Sequence, residues 1–115
     1  DIFSNNEYTI LPGEIAKVST GVALEMPDGY WAKIEGRSGL AMKGLTPIGG
    51  VIDNDYRGEI YVILINLGKN IIHISRHVRI AQLTFTRQFQ PCFQVSQNLP
   101  NTERGCKGFG STLYT

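Results

Sequence analysis

Gly36-Arg37-Ser38-Gly39-Leu40 brings a guanidinium, a hydroxyl and closely spaced backbone N–H groups together, a set able to hold phosphate oxygens. The same residues could form an ordinary strand-to-turn junction, with Arg37 in solvent and Ser38 capping a helical turn. In Gly49-Gly50-Val51-Ile52-Asp53-Asn54-Asp55-Tyr56-Arg57-Gly58, apolar residues deliver a carboxylate to a tight turn that carries an aromatic ring. Asp53 there could face a water as general base, or simply support a hairpin turn built by Asn54-Asp55 and Gly58. The paired glycines imply close backbone approach.

Arg79-Ile80-Ala81-Gln82-Leu83 reads as a strand on which Arg79 and Gln82, three positions apart, fall on opposite faces. Gln82 would share the face of Val78 and Ile80 and need a partner, either within the sheet or on a ligand. Arg104-Gly105-Cys106-Lys107-Gly108-Phe109-Gly110-Ser111-Thr112 combines cations, an aromatic ring, glycines and hydroxyls. It could wrap a phosphorylated planar ligand, or be a flexible glycine-rich end. It lacks the spacing and following helix of a P-loop. His73 and His77 have no third metal ligand beside them and read as exposed imidazoles.

The elements that must position these groups are extended. Val22, Leu24 and Met26 alternate with Gly21, Ala23 and Glu25, the period of a half-buried strand closed by Pro27-Asp28-Gly29. Tyr30 to Glu35 resumes it. The run Ile60 to Ile65 predicts a central strand buried on both faces. Glu14 to Val18, Asn70 to Ile74, Val78 to Phe85 and Phe89 to Val95 complete the predicted strands, and only Ser38 to Met42 could make a helical turn. Many short strands between glycine and proline turns point to an antiparallel sandwich, jelly roll or small barrel. From Asn98 onward the apolar period is lost, so residues 1–97 read as a β core and 98–115 as a glycine-rich arm that needs another surface for order.

Length and composition bound the function. The 115 residues, 42% hydrophobic, allow a single domain. With 11 Lys and Arg against 10 Asp and Glu, the chain has no global field directed at nucleic acid or anionic membrane. No apolar run approaches the ~18 residues of a membrane span, and a soluble intracellular protein is the expectation. Cys92 and Cys106 are too few for a disulfide scaffold and read as free thiols.

In their order and spacing these stretches resemble the conserved motifs of the homotrimeric dUTP pyrophosphatase (dUTPase) family. Arg37-Ser38-Gly39-Leu40 matches the second motif, Gly50 to Gly58 the third, Arg79 to Leu83 the fourth, and Arg104-Gly105 with Gly108 to Thr112 the fifth. Asp1-Ile2 resembles the end of the first. The resemblance implies an all-β jelly-roll or distorted-barrel subunit with an extended C-terminal arm. It also implies a homotrimer whose three sites are shared between subunits.

The implied reaction is Mg²⁺-assisted hydrolysis of dUTP to dUMP and pyrophosphate, which limits uracil in DNA and supplies dUMP. Asp53 would be the base. Arg37, Ser38 and Gly39 would hold the α- and β-phosphates, with Gln82 adding a hydrogen bond. Arg104 would reach the γ-phosphate, and Gly110, Ser111 and Thr112 would supply further donors. The backbone near Gly50 and Ile52, in a hairpin between Gly44 and Asp53, would bond uracil, Phe109 would stack on it, and Tyr56 would exclude a ribose hydroxyl. Asp1 would reach the metal through water. The compartment implied is cytoplasmic, nuclear or that of a virus-infected cell, with neither nucleic acid nor membrane as partner.

Four positions depart from the family pattern: Gly36 for proline or alanine, His77-Val78 for Gly-Asp, and Leu113 for glycine. Two other readings compete. A deaminase-type relative would need a carboxylate within the Ile60 to Ile65 strand, which has none. A non-catalytic nucleotide-binding regulator would be marked by loss of the base or the arm aromatic, and Asp53 and Phe109 are both present.

Overall fold

Tyr61–Asn66 is the middle strand of a sheet, β7, between β3 (Ile15–Ser19) and β5 (Leu45–Pro47). The computed structural model describes residues 1–110; Ser111, Thr112 and Leu113 lie outside them. A second sheet has the order β1 (Ile2–Phe3), β9 (Arg79–Arg87), β4 (Tyr30–Glu35), β6 (Val51–Ile52). A two-stranded ribbon joins β2 (Tyr8–Ile10) to β8 (Ile72–Ile74), and every pairing is antiparallel. The core between the sheets is Ile10, Val18, Ile34, Leu45, Ile60, Val62, Leu64 and Ile80 with their neighbours. The protein is all-β, as expected, and the one short helix, α1 (Ser38–Ala41), falls on the expected helical turn.

The two-sided burial expected of β7 does not hold. Val62, Leu64 and Asn66 are buried, whereas Tyr61 and Ile63 remain 37% and 38% exposed. Alternate side chains of a strand point to opposite faces, and only one face of this sheet meets the core. Ile15, Ile48 and Val51 are also exposed, so the chain presents much apolar surface. Asn66, fully buried, is a polar knot that the apolar run conceals. Its Nδ2 donates to Ile10 O (3.0 Å) and Asn70 O (2.8 Å), and its Oδ1 accepts from Gly68 N (2.9 Å). An unpaired amide there would cost about 1–3 kcal/mol.

Two predicted strands are absent from the ladders. Gly21 to Met26 is unpaired, touching the sheets through the bond from Ile60 N to Val22 O, although Met26 is buried. Phe89 to Val95 forms no strand, and Phe89, Phe93 and Val95 are 85%, 91% and 101% exposed. In both segments the side-chain period is that of a strand, but their own chain offers no edge to pair with.

Gly44 to Asp53 is not a hairpin either. β5 pairs with β7 and β6 with β4, so the chain crosses from one sheet to the other through Gly49 (φ 67°) and Gly50 (φ 101°). The close approach implied by the glycine pair is to the chain itself. A Cβ on Gly50 would lie 3.0 Å from Ile34 Cβ, and Gly50 O accepts from Ile34 N at 2.8 Å.

Candidate active site

Arg37 stands two residues past the end of β4 and Asp1 precedes β1, which places both at one end of the same sheet. The register of β1 on β9 moves from Ile2↔Ala81 to Phe3↔Arg79, one residue against two, which is a β-bulge. The bulge buries both Ile80 and Ala81 and leaves Arg79 and Gln82 exposed on the same side. The expectation that these two occupy opposite faces is thereby corrected: strict alternation fails by one residue where the strand bulges. Gln82 also leaves the buried face of Ile80, and its Nε2 donates to Gly36 O at 2.9 Å.

Asp1 sits between two guanidinium groups, its carboxylate 3.8 Å from Arg37 Nε and 3.6 Å from Arg79 Nε. Arg37 Nη1 reaches Arg79 O at 3.4 Å. These partly exposed pairs add little stability, but they gather two cations around one carboxylate. Arg79 had no assigned role in the sequence reading, and only the bulge brings it here. Arg37 is the N-cap residue of α1, with no side-chain cap bond, so Ser38 does not cap the helix. The first N–H groups of α1, including those of Ser38 and Gly39, have no carbonyl within the helix to bond. A Cβ on Gly39 would meet nothing, so the chain itself does not require glycine there.

A second group forms at the Asp53 turn. Ile52 is buried and paired with Ala32, so only its backbone could serve a ligand. Beyond it, Tyr56 N donates to Asp53 O (3.1 Å), and Arg57 Nη1 donates to Asn54 O (2.8 Å) and Tyr56 O (3.2 Å). Tyr56 is pinned by its hydroxyl, which donates to Glu59 O at 2.6 Å, and its ring packs so closely that a Cβ on Gly58 would lie 2.6 Å from that hydroxyl. Val51, Ile52, Asp53, Tyr56, Tyr61 and Ile63 are among the residues lining a cleft of about 320 Å³. At its rim the Glu59 carboxylate, first by hydrogen bonding and then by its charge, raises the Tyr61 phenol above its usual value.

The third group is the arm. Arg104 Nε donates to Lys107 O (2.8 Å) and Gly105 N to Thr102 Oγ1 (3.0 Å), both local contacts. Phe109 is fully exposed at φ 52°, followed by Gly110 at φ 83°. Cys92 and Cys106 are exposed free thiols. The departures from the expected motifs also find their places. His77 takes the left-handed conformation (φ 65°) that glycine would adopt without strain, and a Cβ on Gly36 would lie 3.1 Å from Pro47 Cδ.

The structure therefore unites Asp1, Arg37, Ser38, Gly39 and Gln82, and separately Gly50, Ile52, Asp53 and Tyr56. It does not bring Asp53 to Arg37. Ile52 pairs with Ala32 near the start of β4, so Asp53 and Arg37 lie at its opposite ends, roughly 20 Å apart at ~3.3 Å per residue.

An all-β scaffold with a cationic sheet end, a braced carboxylate turn and a glycine-rich arm places groups suited to phosphate chemistry on distant stretches of chain. More specifically, the chain belongs to the dUTPase family, whose model matches residues 1–113. It is 46% identical over 112 residues to the deoxyuridine 5'-triphosphate nucleotidohydrolases of cowpox virus and of vaccinia virus strain Copenhagen, covering 97% of this chain and 76% of each relative. Among solved structures it is similar to the dUTPase of Staphylococcus bacteriophage 80alpha bound to dUpNHpp, with a TM-score of 0.88, 28% identity, and 99% of this chain and 85% of that one covered. It is also similar to the EIAV dUTPase, with a TM-score of 0.79, 29% identity, and coverage of 87% and 84%. No helix among the described residues is long and apolar enough to cross a membrane.

Proposed function

We propose that this protein hydrolyses dUTP to dUMP and pyrophosphate, in sites completed by three copies of the chain. The observation that carries the reading is the separation just described: the candidate phosphate-holding cations and the candidate base stand at opposite ends of β4 in a chain that belongs to the dUTPase family. Closed symmetric assembly supplies from neighbours what one chain keeps apart. Three surfaces support such assembly: the exposed Ile15, Tyr61 and Ile63; the unpaired Gly21 to Met26; and a cavity of about 380 Å³ lined by Leu24, Met26, Pro27, Tyr30 and Phe85. Phe89, Phe93, Val95 and Leu99 are all exposed on the way into the arm.

In this reading Asp53 accepts a proton from the water that attacks the α-phosphorus; a new P–O bond forms as the bond to the bridging oxygen breaks, and pyrophosphate leaves. Arg37, with the N–H groups at Ser38 and Gly39, holds the α- and β-phosphate oxygens, and Gln82 adds a donor. Arg104 pairs with the γ-phosphate, and Gly110, Ser111 and Thr112 supply further donors. The Gly50 and Ile52 backbone reads the uracil edge, Phe109 covers the ring, and the pinned Tyr56 leaves no room for a ribose 2′-hydroxyl. Rejection of cytosine follows from polar groups left unpaired.

Among the described residues no cluster of three or more His, Cys, Asp or Glu could cage a metal, and Asp1 is the only carboxylate paired with the cationic end. That donor set fits Mg²⁺, which binds through one or two carboxylates, waters and substrate phosphates. When bound, the ion neutralises charge across the triphosphate.

Incubation with Mg²⁺ and dUTP, UTP, dTTP or dCTP, with pyrophosphate release and light-scattering mass as readouts, tests the proposal. Selective dUTP turnover by a trimer is expected; turnover by a monomer, or none at all, would overturn it.

A further inference from the structure

The Asn54 side chain is not needed to close the Asp53 turn, because Tyr56 N and the Arg57 guanidinium already bond its carbonyls. Its amide points outward instead. Nδ2 donates to Pro27 O at 2.9 Å and to Tyr30 O at 2.8 Å, so both N–H bonds are spent on the turn before β4 and on the first residue of that strand. From its other side that turn grips the end of β9. Gly29 O accepts from Gln88 N at 2.7 Å, Tyr30 pairs with Arg87, and the Arg87 guanidinium lies 5.9 Å from the centre of the Tyr30 ring. Beyond Gln88 the irregular segment leading to the arm begins. Gly29, Asp53, Asn54, Gln88 and Gln90 line one cavity of about 700 Å³.

We infer that Asn54 is a positioning residue that fixes the Asp53 turn to the short stretch Pro27 to Tyr30, the same stretch that, through Gly29 O and Tyr30, holds the start of the segment leading to the arm. The inference rests on the proposed hydrolysis for its kinetic meaning. Its structural content, one side chain tying the Asp53 turn to the Pro27 to Tyr30 stretch on which Gln88 also rests, stands separately. Asn is suited to the position because two carbonyl oxygens require two donors from a single atom. An isosteric carboxylate would offer only acceptors, facing them with repulsion.

The test compares the full chain with Asn54→Ala and Asn54→Asp. Misplacement of a base by a fraction of an ångström affects the chemical step more than binding, so kcat should fall about tenfold with KM within about threefold of its original value. Asn54→Asp should be no better than Asn54→Ala, although it preserves volume. Independently of activity, amide exchange at Tyr56 and at Gln88 should quicken together, by about tenfold, while Val62 in β7 keeps its protection. An Asn54→Asp variant with full turnover, exchange altered at Tyr56 but not Gln88, or general loss of protection in β7 would each overturn the inference. An inactive parent protein would overturn the proposed function instead, leaving the exchange result to decide the link.

Discussion

The Asp53 to Gly58 turn and the segment from Gln88 to Gly110 are both irregular backbone, yet they are built on opposite terms. In the turn, hydrogen bonds close the backbone and pin both the Asn54 amide and the Tyr56 hydroxyl, while a Cβ on Gly58 would already collide. In the segment the bonds are mostly local, and Phe93, Leu99 and Phe109 stand 91%, 83% and 114% exposed. A group that must meet a reacting atom is organised in advance within its own chain. A group that must close over a ligand obtains its order from the surface it lands on.

The strongest test of that contrast is Asp53→Asn. Nucleotide affinity should stay within about tenfold while turnover drops at least ~10²-fold, since the substitution removes a base without disturbing the turn; binding and single-turnover measurements separate the two. Deleting residues 104–115 should do the reverse of a clean chemical defect, raising KM and lowering kcat together in steady-state assays. Mixing the deletion chains with Asp53→Asn chains, after mild dissociation and reassembly, should recover part of the activity, because one supplies the base and the other the arm. If the mixture stays inactive, each site belongs to one chain and the contrast has been misread.

A smaller effect separates the regions by packing. Gly58→Ala should cost about 2 kcal/mol in denaturant unfolding, since Tyr56 must give way. Gly108→Ala, where the nearest atom is Arg104 Nη2 at 3.7 Å, should leave the unfolding midpoint unchanged. The smallest concerns strain. His77→Gly should stabilise the protein by about 0.5 kcal/mol, relief of a left-handed side chain outweighing the added freedom of the unfolded chain. Phe109→Gly, at φ 52° in the arm, should not move the midpoint.

The candidate site was legible as residue types because its chemistry lies in contiguous residues: Arg37 to Leu40, Gly50 to Gly58 and Arg104 to Phe109 each carry their donors, carboxylate or aromatic ring in a short stretch. The strands were legible where period and pairing coincide, as in β3, β4 and β8. The reading failed where they do not. Val22 to Met26 has the period without a partner, and Gly44 to Asp53 resembles a hairpin but changes sheets.

The sequence by itself determined the local chemistry, the all-β character and the break in apolar period at the arm, because these follow from residue type and near-neighbour spacing. Only the tertiary structure decided that Arg79 and Gln82 share a face, that Asp1 lies between two guanidinium groups, that β7 leaves one face bare, and that Asn54 reaches the stretch that also holds Gln88. Each depends on a bulge, a sheet crossing or a contact between segments distant in sequence, and such geometry is set by how strands pair and pack rather than by what any one of them contains.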